Sequence, residues 1–189
     1  AIIAALMVVL GGTGAIYINF LLIPMEVASM VMSLTTCDEQ WKWSKYAISL
    51  PVSKTQIVQS RYAFALIISL VGLVVAFIVN SISFLCFPEY KFGFYVFLSV
   101  VSFGVILLFL SFMLPSNYSL GVNAGFAAMI IMVILLVVLG IWSKLTDNAI
   151  MWYVVDHFEL SMIIAFVGVL VLFVLSYTMS VFFFKRKYA

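Results

Sequence analysis

The chain has 189 residues, 67% of them hydrophobic and 8% charged, with a mean hydropathy of +1.31. An ordinary soluble domain is about half apolar and a quarter charged, and nine basic with seven acidic side chains cannot cover a water-facing surface of this size. A soluble enzyme, a nucleic-acid binder and a disordered segment are excluded, leaving an integral membrane protein. Its apolar runs are long and do not alternate with polar residues, so an all-α protein with six transmembrane helices is expected rather than an outer-membrane barrel.

In chain order, Ala1 to Leu10 is an apolar run broken by Gly11-Gly12-Thr13-Gly14. Ten residues rise only ~15 Å, half a bilayer core. Residues 1–10 are therefore expected to be part of a first transmembrane helix that starts before residue 1. A signal-peptide core is the rival reading, although it lacks a basic flank and a cleavage segment. The second span is expected over 15–35, interrupted by Pro24 and Glu26, and a polar segment covers 36–61. The third span covers 62–87 and ends at Pro88-Glu89-Tyr90-Lys91. The fourth covers 92–114, closed by Pro115, with a turn at Ser116 to Leu120. The fifth covers 121–142. A wetter stretch, Ser143 to Glu159, precedes the sixth span at 160–184.

Charge placement orients these spans. Lys42, Lys45, Lys54 and Arg61 fall in the 36–61 segment, and Lys185-Arg186-Lys187 follow the last span. Lys/Arg-rich loops stay cytoplasmic, which puts the 36–61 segment, the turn after Pro115 and the C-terminus inside, with Lys91 and Lys144 outside. Trp41, Trp43, Tyr46 and Tyr62 on one side, and Trp142, Trp152 and Tyr153 on the other, suit the two aromatic belts. Cys37 and Cys86 sit at opposite ends of apolar segments, which argues against a disulfide. No metal-ligand spacing exists.

The 36–61 segment is the most informative. Thr36-Cys37-Asp38-Glu39 fits a capping box, so a short helix is expected from Cys37 to Ser49, ending before Pro51. Trp41, Lys45 and Ile48 are spaced to stack on one side of it. Ser53-Lys54-Thr55-Gln56 is a second capping box, expected to start a helix that runs through Arg61 into the third span. The product is a cytoplasmic helix–turn–helix. Composition alone also allows an interfacial loop that anchors the chain to lipid headgroups.

The wording of this segment is distinctive. Asp38-Glu39, Trp43, Tyr46-Ala47, Leu50-Pro51-Val52-Ser53-Lys54, Ile57-Val58 and Arg61-Tyr62 resemble the signature of one branch of the ABC-2 type transporter permeases. That branch includes bacterial peptide exporters such as the phenol-soluble modulin exporter. The resemblance covers about 25 residues, beyond which it rests on six-span topology. It implies a transmembrane permease subunit of an exporter in the bacterial plasma membrane, moving amphipathic or hydrophobic peptides outward. It also implies a dimer, with a second copy or a sister permease. A separate ABC subunit would bind ATP and Mg and dock on this segment as a coupling helix. The implied interface residues are Asp38, Glu39, Trp41, Lys42, Trp43, Lys45, Tyr46, Leu50, Pro51, Ser53, Lys54 and Arg61. The chain itself lacks a GxxxxGK[ST] loop, so it is expected to be no enzyme and to carry no cofactor. Ser116 to Gly121 keeps the family's Tyr-x-Leu-Gly pattern but not the basic residues that follow it. The alternative from another class is a membrane scaffold or accessory subunit that uses the same loop to bind a different partner.

Among intramembrane polar residues, Glu26 is the ionisable one well inside a span. A carboxylate at mid-bilayer is costly and faces protein or water. A gating, cavity or partner-charge role and a structural role beside Pro24 both stay open. Asn80, Asn123, Ser69, Ser99, Ser102 and Ser111 are expected to hold helices together. Gly121-x-x-x-Gly125 permits close helix approach. His157, beside Asp156 and Glu159, reads as a solvated interface residue. The outer acids Glu89, Asp147, Asp156 and Glu159 read as loop solvation.

Overall fold

The computed structural model describes residues 14–49, 51–86, 90–145 and 158–187, and these are helical with short links. The helices are α1 (Gly14–Gln40), α2 (Trp43–Ser49), α3 (Lys54–Cys86), α4 (Phe92–Leu120), α5 (Val122–Leu145) and α6 (Phe158–Lys187). Among the described residues no strand forms. Four helices there are long and apolar enough to cross a membrane: α3, α4, α5 through Leu139, and α6 from Leu160. α1 is a continuous helix of 27 residues over the expected second span. The expected first span lies outside the described residues, as does the outer segment with His157, Asp147 and Asp156.

Local chemistry explains the helix ends. α1 does not stop at the first capping box, contrary to expectation. Thr35 and Thr36 each donate a hydroxyl hydrogen bond to the Met32 carbonyl, at 2.8 and 2.9 Å, and so continue the helix instead of capping a new one. The break falls later, at Trp41-Lys42. There the Lys42 amide closes on the Glu39 carbonyl at 3.1 Å, and Lys42 takes a left-handed φ of 51°. The helix between the two boxes is therefore the seven-residue α2 alone. Trp41 stands in the turn before it, so the expected stack with Lys45 and Ile48 does not form. The second capping box is real. The Ser53 amide donates to Gln56 Oε1 at 2.9 Å, and the Gln56 amide donates to Ser53 Oγ at 3.3 Å. From this cap α3 runs 33 residues, about 50 Å of rise, or up to about 20 Å more than a bilayer core.

α4 also overruns its expected end. Pro115 lies inside the helix, which continues to Leu120. A proline within a membrane helix is tolerated when neighbouring helices and hydroxyl side chains support the backbone around it. Here Ser111 and Ser116 donate to the Leu107 and Phe112 carbonyls, each at 2.7 Å. The turn is then one residue, Gly121, whose φ of 94° suits glycine and whose amide returns to the Asn117 carbonyl at 3.0 Å.

α4 is the hub of the bundle, touching α1, α3, α5 and α6. Its Ile106, Leu107, Leu110 and Met113 form the middle of the core, with Val31 and Met32 from α1, Tyr62 from α3 and Phe173 from α6. Tyr62 ties α3 to α6, its hydroxyl 2.7 Å from both Ser176 Oγ and Ser180 Oγ. At the far end Asn80 donates to Ser99 Oγ at 2.9 Å, linking α3 to α4. The other expected connectors do less. Ser69, Ser102 and Ser111 bond carbonyls of their own helices, and Asn123 is exposed.

Candidate functional site at one end of the bundle

One end of the bundle gathers the C-terminal ends of α1, α4 and α6, the start of α3, and α2. These are the segments that charge placement assigned to one side of the membrane. Between them lies a cavity of about 210 Å³, lined by Thr35, Asp38, Glu39, Lys42, Trp43, Lys45, Ile57, Arg61, Asn117, Tyr118, Gly121, Val122, Phe184 and Lys187. Six of the twelve residues expected at the interface are among these: Asp38, Glu39, Lys42, Trp43, Lys45 and Arg61.

The structural tie across this site is an ion pair. Arg61 Nη2 lies 2.5 Å from Asp38 Oδ2, and both side chains are only about one-fifth exposed. The pair joins the end of α1 directly to the first turns of α3, bypassing the link through α2. Burial pushes the Asp38 carboxyl above its ordinary value, more than the Arg61 guanidinium pulls it down. Losing Arg61 would leave that carboxylate half-desolvated without its counter-charge.

Other expected residues lie outside the cavity. Trp41 is 83% exposed and Tyr46 58% exposed, and Pro51 and Ser53 are exposed too. Trp43 and Tyr46 rings sit 5.4 Å apart on α2. Lys54 is half-buried at the start of α3, and Leu50 lies outside the described residues. Glu26 is half-buried in α1, about 18 Å along the helix from Asp38 at 1.5 Å per residue. It belongs to a different part of the molecule.

Several site residues are not among the expected interface residues. Tyr118 packs edge-on against Phe184 with ring centroids 5.6 Å apart, sealing α4 to the end of α6. The Asn117 amide reaches Thr35 Oγ1 at 3.5 Å and Met32 Sδ at 3.7 Å, and its Oδ1 is buried without a partner. That oxygen lies 1.7 Å from where a Cβ on Gly125 would stand. Gly125 therefore makes room for Asn117, and Gly121 lies in the turn outside α5. Of the GxxxG pair, Gly125 lets α5 lie close to the Asn117 side chain of α4, while Gly121 serves the turn. Asn117 directly precedes the Tyr-x-Leu-Gly pattern that begins at Tyr118, a sequence signal that did not by itself reveal the contact.

Among the described residues no cluster of three His, Cys, Asp or Glu side chains is placed to hold a metal ion. The arrangement is a short helix and a charged cavity at the ends of α1, α3, α4 and α6. No curated protein and no solved structure matches the chain. The profile of one family, described as ABC-2 family transporter protein, matches residues 1–185. With several long apolar helices and this match along nearly its whole length, the chain is a multi-pass membrane protein that belongs to the ABC-2 transporter family, the membrane component of an ABC transporter.

Proposed function

We propose that this chain is the permease subunit of an ATP-driven exporter that moves amphipathic or hydrophobic peptides out of a bacterial cell. ATP and Mg are bound by a separate subunit, and the permease works as a dimer, with itself or with a sister permease. The 36–61 segment is the docking element and faces the cytoplasm, as its lysines and arginine argue. The observation that carries this reading is the joining of that segment to the membrane helices by the Asp38–Arg61 pair. Force applied to α2 reaches α1 through the Trp41-Lys42 turn. The ion pair passes it to α3, which runs without a break across the membrane.

Trp41 and Tyr46 turn outward from the bundle and suit aromatic anchors for the ATP-binding subunit. Truncating such an anchor costs about 2 kcal/mol, roughly thirtyfold in affinity. Trp41→Ala is expected to weaken copurification with the ATP-binding subunit by about that factor, with the membrane helices still folded. Lys42→Asn should weaken it less, and in a salt-dependent way. Full ATPase binding and full transport-stimulated turnover in Trp41→Ala would reduce the segment to a lipid anchor and favour the accessory-subunit reading.

A further inference from the structure

The cavity holds more positive charge than its own carboxylates neutralise. Arg61 is engaged by Asp38. Lys42, Lys45 and Lys187 line the cavity, and among the described residues none has a carboxylate within ion-pair distance. Glu39 is the remaining acid on the lining. Three exposed lysines on the lining of one small space favour an anion with several oxygens, and the chemistry that supplies one at a membrane surface is a phosphate.

Size narrows the choice. Drug-sized ligands occupy roughly 300–1,000 Å³, so this half-open cavity of about 210 Å³ encloses only part of a larger ligand. It can admit a phosphate with a few more atoms. The walls argue that those atoms continue into hydrocarbon. Ile57, Val122 and Phe184 supply apolar lining. From Val122 an apolar stripe runs up α5 at four-residue spacing through Phe126, Ile130 and Ile134, which are 42%, 55% and 57% exposed. A ligand with its phosphate among the lysines can lay its tails along that stripe. Glu39, whose Oε1 lies 3.6 Å from where a Cβ on Gly121 would stand, can accept hydrogen bonds from headgroup hydroxyl groups.

We propose that this cavity binds the headgroup of an anionic phospholipid, its phosphate held by Lys42, Lys45 and Lys187 and its acyl chains lying on α5. The bound lipid fills the gap between α2 and the bundle, so the docking segment rests partly on lipid.

The test uses the full-length protein in detergent, without the ATP-binding subunit, titrated with dioctanoyl phosphatidylglycerol and read by native mass spectrometry. Lys42→Asn, which keeps a residue tolerant of the left-handed backbone, is combined with Lys187→Ala. At roughly fivefold per lysine, this pair should weaken the single-lipid adduct about 25-fold. Lys185→Ala with Arg186→Ala removes equal charge from exposed positions off the cavity and should change it less than about twofold. Lys42→Arg with Lys187→Arg should retain binding, which separates lost charge from lost structure. Phosphatidylcholine of the same chain length should bind more weakly than phosphatidylglycerol. Equal losses in the two charge-removing pairs, or none in the cavity pair, would overturn the proposal. So would displacement of the lipid by an equal concentration of inorganic phosphate, which would make free phosphate the ligand.

Discussion

α4 and α5 are joined by Gly121 alone and are almost equally apolar, yet they occupy opposite environments. In α4, 56% of the membrane-spanning stretch is buried inside the protein, against 6% in α5. Lipid tails are as apolar as leucine, so hydropathy ceases to sort inside from outside once a chain is in a bilayer. What distinguishes the two helices is small and polar content. α4 carries Ser99, Ser102 and Ser111 on its buried side, each returning its hydroxyl to a carbonyl one turn earlier. From Phe126 to Ile141, α5 has no polar side chain at all. In this chain the buried helix carries small hydroxyl side chains on its inner side, and the exposed one presents mostly bulky apolar side chains.

The largest expected effect probes close approach directly. Gly72 of α3 faces the junction of α1 and α4, and a Cβ there would stand 2.7 Å from Val27 Cγ2 and 2.9 Å from Ile106 Cδ1. Gly72→Ala should therefore destabilise by about 1–3 kcal/mol, the usual cost of overpacking. Gly168→Ala on α6, where a Cβ meets nothing within 4 Å, should be neutral or stabilise by about 0.5–1 kcal/mol. Thermal unfolding in detergent reads both, and equal effects would mean the α1–α3–α4 junction is looser than described.

A second pair sharpens the contrast between α4 and α5. Leu110 is fully buried in α4, and Ile134 is 57% exposed on α5. In soluble cores such truncations to alanine cost about 2–5 kcal/mol. In a membrane the transfer part falls away and the packing part remains. Leu110→Ala should cost about 1–2 kcal/mol by denaturant titration in mixed micelles, and Ile134→Ala less than about 0.5 kcal/mol. A large loss at Ile134, dependent on protein concentration, would show that α5 is covered by another protein chain instead of lipid.

The smallest effect concerns polar ties. Asn80→Ala breaks the hydrogen bond to Ser99, and interhelical hydrogen bonds in membranes average about 0.6 kcal/mol. Asn123→Ala, at an exposed position on α5, should have no effect in the same assay. Sequence alone gives these two asparagines the same expected role, so the assay tests the distinction that packing introduced.

Reading the chain in one dimension succeeds or fails according to the range of the force involved. The second capping box was legible because Ser53 and Gln56 satisfy one another three residues apart. The first failed because Thr36 had a competing local acceptor, the Met32 carbonyl, and the helix was already running. Pro115 was read as a stop because its cost is local, while the helices packed around it are not visible in sequence. Six of the seven cavity residues from the 36–61 segment, all but Ile57, could be grouped from sequence because they lie together in the chain. Asn117, Tyr118 and Phe184 were not, since their partners are dozens of residues away.

Composition and charge placement by themselves determine that this is a helical membrane chain and which helix ends share a side. Those properties follow from transfer between water and lipid, which each residue pays independently of its neighbours. Only the tertiary structure decides that α4 is the hub, that α5 faces outward, and that Asp38 meets Arg61 over a charged cavity. Those depend on shape and on pairwise contact between distant segments, which a bilayer's uniform apolar solvent leaves unmarked in the sequence.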